Sequence, residues 1–230
     1  MKKLISALVM LGLLSSFSCK STISGTESEP PEIPTLDAIT IPSPTGLPAG
    51  MQSQIATANT LASFGYTYLS AVTDVDPTYE NGVWTWQFTN GDLTITVTAA
   101  EQDDSTLNWT VVVNGSVPNL GQTFDNWTAI TGTSAADGTD GSWTIYELNA
   151  TTVAGTATWS TDDEDVVTIG LVSSIVSVDF TSTSDGSAGN MQIYQNSVKT
   201  FEAEWTASGG TWTSYNQTSG EQADTGSWTN

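Results

Sequence analysis

The segment WTWQFTNGDLTITV, residues 84–97, sets tryptophan, tryptophan and phenylalanine at alternate positions, then Asn90-Gly91, then leucine, isoleucine and valine at alternate positions. A period of two marks a strand half-buried in a sheet, and Asn-Gly between two such runs is a hairpin signal. With Asn90-Gly91 as a two-residue turn of the I′ type, Phe88 is expected opposite Leu93, Trp86 opposite Ile95 and Trp84 opposite Val97. Apolar side chains then meet on one face. Thr85, Gln87, Thr94 and Thr96 fall on the other, the solvated side of a half-buried sheet. The rings of Trp84 and Trp86 are therefore expected in a core, because an exposed platform would break this agreement.

The same alternation runs on through Leu107, Trp109, Val111 and Val113, then Trp143 and Ile145, then Val167, Ile169 and Leu171. It continues in Val176, Val178 and Phe180, and in Phe201, Ala203 and Trp205. About eleven strands are predicted, divided by Gly, Asn, Asp and Ser turns and never by a second helical pattern. Seven of the nine tryptophans are followed by threonine, which reads as ring inward and hydroxyl outward. Their spacing keeps no period, so a propeller or solenoid is disfavoured. Trp127 breaks phase with Phe124 and Ile130; either a bulge reconciles the three or one ring is exposed.

Upstream the period differs. Met51, Ile55, Ala58, Ala62, Tyr66 and Leu69 recur at intervals of three and four, which predicts one helix over 49–71, with Gly65 its weak point. Asp74 to Gly82 reads as a turn-rich loop. Residues 20–48 are rich in Ser, Thr, Glu and Pro and lack the apolar surface to offset ordering entropy, so a tether is expected. Its span would be roughly 30 Å as a coil and roughly 90 Å as polyproline II. The expected fold is mainly β: one N-terminal helix followed by a long antiparallel up-and-down meander, forming a curved sheet or open barrel in a single domain over 49–230. A closed barrel and a two-sheet sandwich are the alternatives. This order of elements resembles the lipoprotein-carrier folds of bacterial envelopes, the LolA and LolB type, which implies an open barrel that holds acyl chains beneath helices.

The chain starts Met1-Lys2-Lys3, runs from Leu4 to Leu14 without a charge and reaches Ser18-Cys19, its only cysteine. A basic start, a short apolar run and a small-residue exit describe a secretory signal over 1–18; a spanning helix needs about 20 apolar residues. The segment resembles a bacterial lipoprotein precursor, which implies that Cys19 is acylated and anchors the chain to a membrane. It departs from the family's usual box in carrying Ser16 and Phe17 before the cysteine. The alternative is ordinary cleavage at the same bond, leaving Cys19 a free thiol. With one cysteine, no disulfide forms within a monomer, and stability must come from packing.

All 25 acidic residues lie beyond Cys19 against two lysines, Lys20 and Lys199, a net charge of -23 for that part. Nucleic acid and anionic surfaces are repelled. The sequence contains neither histidine nor arginine, so the commonest general base, the commonest metal ligand and the usual phosphate fork are missing. No nucleophile elbow, phosphate loop or nucleotide fingerprint occurs, and no cofactor is expected.

Several candidate sites remain. Asp162, Asp163, Glu164 and Asp165 form an acidic turn, and Asp74, Asp76 and Glu80 an acidic loop; either would offer oxygens to Ca²⁺, though neither has EF-hand spacing, and a solvated hairpin end is the plainer expectation. Glu202 and Glu204 share a strand face, where they cannot flank a glycosidic bond from opposite sides; Lys199, of opposite parity, is not expected to neutralise them. Trp127, Tyr194, Tyr215 and Trp228 have the least certain register and are the candidate rings for a carbohydrate platform. Asn108, Asn114, Asn126, Asn149 and Asn216 begin N-glycosylation sequons, and Asp104-Ser-Thr106 resembles a short O-glycosylation motif of some Bacteroidota.

These observations lead to the expectation of a non-enzymatic, lipid-anchored, monomeric protein of the bacterial outer membrane, on its periplasmic or cell-surface side. Its sheet would be a structural or binding module, with an apolar ligand in the concave face as one option. A carbohydrate-binding module or adhesin is the alternative. An outer-membrane β-barrel is a further one, in which the apolar faces would point to lipid.

Overall fold

The computed structural model describes residues 69–102, 106–118, 121–183 and 185–229, with Pro30, Pro31, Ile33, Gln52, Ser53 and Ala56 besides. The expected signal, Cys19, nearly all of the tether and most of the 49–71 helix lie outside these residues. The described part contains thirteen strands, beginning with β1 (Thr78–Glu80), β2 (Val83–Asn90), β3 (Leu93–Glu101), β4 (Thr106–Val117), β5 (Gln122–Ala135), β6 (Asp140–Tyr146) and β7 (Val153–Thr161). They continue as β8 (Val166–Ser173), β9 (Val176–Thr183), β10 (Gly189–Gln195), β11 (Val198–Thr206), β12 (Gly209–Tyr215) and β13 (Gln222–Thr229). Their order in the sheet is their order in the sequence, an open antiparallel meander. The expected class holds. The count exceeds the expectation by two, and β1 occupies the stretch expected as loop.

The chain divides into two compact units whose described residues are chiefly 69–154 and 155–229. In the first, alternate residues of β2, β3 and β4 are buried, from Trp84 and Trp86 through Ile95 and Val97 to Trp109 and Val111. The rings of Trp86 and Trp109 stack at 5.7 Å, and Trp109 meets Trp143 edge-on at 6.1 Å. Such contacts add about 0.5–1.5 kcal/mol beyond the area that the rings bury. The Trp109 indole N–H donates to the buried Ser134 hydroxyl at 2.9 Å, so burial of this donor is matched by a partner. Across the β2–β3 hairpin the outward groups pair with one another, Gln87 with Thr96 and Thr89 with Thr94.

In the second unit the buried set is Ala157, Trp159, Ile169, Leu171, Val178, Phe180, Met191, Ile193, Phe201, Ala203, Trp205 and Trp212. Eight of the nine tryptophans in the chain are at most 8% exposed; the ninth, Trp228, is half-buried. The dry-face expectation for the rings therefore holds in both units.

Glycine has a recurrent part in seating these rings. Gly132 lies across from Trp143, Gly189 from Trp205, Gly210 from Trp228 and Gly226 from Trp212. A Cβ on Gly226 would stand 2.7 Å from the Trp212 ring, and one on Gly189 2.6 Å from Trp205. Each indole thus lies over a backbone that has no side chain, which lets a large ring cover a sheet without lifting from it.

The register of the β2–β3 hairpin differs from expectation. Asn90 pairs with Leu93, Phe88 with Ile95, Trp86 with Val97 and Trp84 with Ala99, so the turn is Gly91-Asp92. Only Gly91 of the two has positive φ, +59°, the II′ pattern with glycine first. Strand β4 explains the choice: the Ser116 N–H donates to the Asp92 carbonyl at 3.2 Å, and Gly115 leaves room where a Cβ would strike that carbonyl. Each partner is displaced by two places from the expected one, which keeps every side chain on its expected face. An I′ turn occurs at an earlier Asn-Gly: Asn81 and Gly82 both have positive φ, 54° and 79°, between β1 and β2.

Candidate functional site

Strand β5 carries two register shifts against β4. Val111 pairs with Ile130 and Val112 with Thr128, which leaves Ala129 as an extra residue; a second shift separates Val113–Trp127 from Gly115–Phe124. An extra residue reverses the parity of the strand on its far side, so Phe124, Trp127 and Ile130, out of phase in sequence, all come to the buried face. The bulge expected near Trp127 is present, and this ring stacks on Phe124 at 5.6 Å. Trp127 is 6% exposed and is no free platform.

The second shift turns the backbone outward at Asn126, whose φ is +47°, and leaves Asp125 and Asn126 exposed. Beside them, the connection from β6 to β7 closes on itself: Glu147 N–H donates to the Thr152 carbonyl at 2.8 Å and Ala150 N–H to the Glu147 carbonyl at 3.0 Å. Asn149, also at positive φ (+52°), sends its side-chain amide to the Thr123 carbonyl at 2.8 Å and ties this loop to β5. Between bulge and loop lies a groove of about 1020 Å³. Eleven of the described residues line it, of which five are threonines, two are the asparagines at positive φ and two are aromatic, Trp127 and Tyr146. Among these described residues Asp125 is the one charged group. Tyr146 and Thr131 join their hydroxyls at 3.1 Å along one wall, and the Asn126 N–H donates to Asn114 Oδ1 at 3.2 Å.

A second polar cluster forms where β11 is bulged. Ile193 pairs with Phe201 and Tyr194 with Lys199, so Thr200 is the extra residue; its hydroxyl donates to the Ile193 carbonyl at 3.2 Å. This overturns the expectation for Lys199. The bulge restores it to the face of Glu202, and its ammonium donates to Glu202 Oε2 at 2.7 Å. The Tyr215 hydroxyl donates to the other oxygen of the same carboxylate, and Lys199 stands 4.8 Å above the Tyr215 ring. The hydrogen bond from Lys199, then that from Tyr215, holds the Glu202 carboxyl below its usual range; the bond to Glu202 raises Lys199 and Tyr215 above theirs. Both side chains of the ion pair are about one-third exposed, so its worth is about 0–1 kcal/mol.

Of the four candidate rings, Tyr194 on β10 and Tyr215 on β12 thus flank β11 on the Lys199 face, half-buried, with the Tyr194 hydroxyl donating to Gln192 Oε1 at 2.5 Å. Trp228 lies over Gly210, where a Cβ would stand 2.5 Å from its ring. Trp127 alone borders the groove. The rings do not form one platform. Glu204 is exposed on the strand face of Glu202, two residues away.

In the acidic turn, Asp162 Oδ1 accepts the backbone N–H groups of Glu164 and Val166, each at 2.9 Å, and Asp165 sits at φ +58°. The Asp162 carboxylate caps its own turn. Asp163, Glu164 and Asp165 are exposed, and among the described residues no three acidic, histidine or cysteine side chains gather as metal ligands.

Sequence reasoning misses the groove, although Asn126 and Asn149 stand out as sequons and Trp127 as a phase error. Asp125 and Tyr146 give no signal, since their meeting depends on the β5 bulge and on a loop some twenty residues later in the chain. No family model matches the chain, and none of the curated proteins is similar to it.

Proposed function

We propose that this protein is a lipid-anchored component of a bacterial outer membrane, held through an acylated Cys19, and that its β-strands build a non-enzymatic binding module. The observation that carries the binding role is the lining of the groove on β5. Amides, hydroxyls and one carboxylate give and accept hydrogen bonds at neutral pH without a nucleophile and base set against each other. The ring-bearing face favours this groove over an apolar cavity as the place of binding, because its tryptophans are already covered by protein. The same cover argues against presentation of those rings to lipid, as an outer-membrane barrel would require.

Mass spectrometry of the full-length protein, extracted from its own envelope in mild detergent, tests the anchor. The expected species begins at Cys19 and carries acyl chains, and Cys19→Ser moves the protein from the membrane fraction to the soluble one. A wild-type protein with an unmodified thiol at residue 19, or a variant that fractionates unchanged, would overturn the anchor.

A further inference from the structure

We infer that the β5 groove binds a neutral saccharide, with Asp125 and Asn126 as its principal hydrogen-bonding residues and Asn149 as the residue that positions its wall. The inference rests on the reading of the domain as a binding module and names the ligand class.

Charge narrows the class first. Among the described residues the lining holds no cation, and the chain carries a net -21, so phosphates, sulfates and acidic glycans are repelled from a groove that already holds the Asp125 carboxylate. Shape and lining narrow it further. A peptide or acyl chain needs apolar pockets, whereas the apolar lining here is limited to Ala150, Trp127 and Tyr146, among five threonines. A pyranose offers what this surface can match: hydroxyls that both donate and accept, as do Thr, Asn and Tyr side chains, and a C–H face suited to the half-buried Tyr146 ring. Asp125 and Asn126 project side by side at the bulge, 3.4 Å apart at Asp125 Oδ1 and Asn126 Nδ2, offering one strong acceptor and one amide to neighbouring hydroxyls.

The frame is set before any ligand arrives. Asn126 and Asn149 hold left-handed backbone conformations that most side chains adopt only at a cost, and asparagine tolerates this better than β-branched residues. The Asn149 amide on the Thr123 carbonyl fixes the loop against β5, so little ordering entropy remains to be lost on binding. With Trp127 only 6% exposed, it offers a ligand no stacking face. Weak affinity is expected, with Kd on the order of 0.1–10 mM.

The test uses the whole mature chain, isotope-labelled, titrated with neutral hexasaccharides of glucose, xylose, mannose and N-acetylglucosamine and followed by amide NMR. At least one sugar is expected to shift resonances of residues 123–131 and 146–152 saturably. Asp125→Ala and Asn126→Gly should each weaken it about fivefold or more with an unchanged melting temperature, which corresponds to about 1 kcal/mol. Glycine at 126 keeps the positive φ accessible, so a loss there reports the amide and not the backbone. Tyr215→Phe, in the other polar cluster, should leave binding unchanged. Saturable shifts confined to the Tyr194–Tyr215 cluster would overturn the groove assignment while leaving a binding module. The absence of shifts with every sugar up to about 10 mM would overturn the saccharide inference outright. The anchor is read separately, from the mass at Cys19.

Discussion

Strands β5 and β11 are bulged in the same way and to different ends. In each, two consecutive residues are fully buried, Ala129 and Ile130 in one, Thr200 and Phe201 in the other, because one residue too many faces a single partner. The β5 shifts act inward and outward at once: they bring Phe124 and Trp127 onto the dry face and push Asp125 and Asn126 out as the lip of a groove. The β11 shift acts on its polar side, returning Lys199 to Glu202 and Tyr215. A bulge with large apolar residues on both sides of it determines the core; one flanked by a lysine determines a surface cluster. The difference lies in what the neighbouring residues lose if parity is wrong.

Deletion is the sharpest way to break that comparison. Removing Ala129 should send Phe124 and Trp127 toward water and abolish the cooperative unfolding transition of the first unit, visible as collapsed amide dispersion for residues 78–146. Removing Thr200 should force Lys199 toward the dry face of the second unit, at a cost of roughly 3–5 kcal/mol by denaturant unfolding, with the fold retained. Equal, small effects of the two deletions would show that parity is not what the bulges enforce.

The glycine seats give an intermediate effect. Gly132→Ala sets a Cβ against the Ser142 carbonyl and the Trp143 ring inside the first unit, and should cost about 1–3 kcal/mol. Gly226→Ala, on β13, whose side chains are largely exposed, meets the Trp212 ring of β12 and should cost less, about 1 kcal/mol or below. Urea midpoints of the two variants order them directly.

The smallest effect concerns acid. Asp137 and Asp185 occupy corresponding turns, after β5 and after β9, and both carboxyls lie below the usual range. Asp137 is held by the Thr139 hydroxyl and then its N–H. Asp185, at about 2, is held by the Ser187 N–H and then the Thr183 hydroxyl. A folded pKa below the unfolded value of 3.8 means that this stabilisation is whole above pH 3.8 and disappears as pH falls through about 2. Asp185→Asn should flatten the acid limb of the melting-temperature curve more than Asp137→Asn does; the reverse order would contradict the bonding described.

The period-two pattern makes the meander and its dry face legible, since a ring placed on the wrong side of a sheet costs several kcal/mol of lost burial. It leaves register undetermined. Asn81-Gly82 and Asn90-Gly91 look alike in sequence, and the distinction comes from Ser116 and Gly115 on β4, more than twenty residues away from Asn90. The β5 bulge is visible because three large apolar residues fall out of phase. The β11 bulge is not, because threonine is at home on either face of a strand and Thr200 therefore breaks no pattern. The Lys199–Glu202 pair is misread for that reason, and the groove, assembled from a bulge and a later loop, lies beyond any local signal.

The architecture depends on indoles that are shut away from water while threonines meet it. Acrylamide quenching of the tryptophan emission tests this most directly. A blue-shifted spectrum with a single weakly accessible fraction, lost in Trp228→Phe, is the expected result; emission quenched nearly to completion in the folded protein would contradict it.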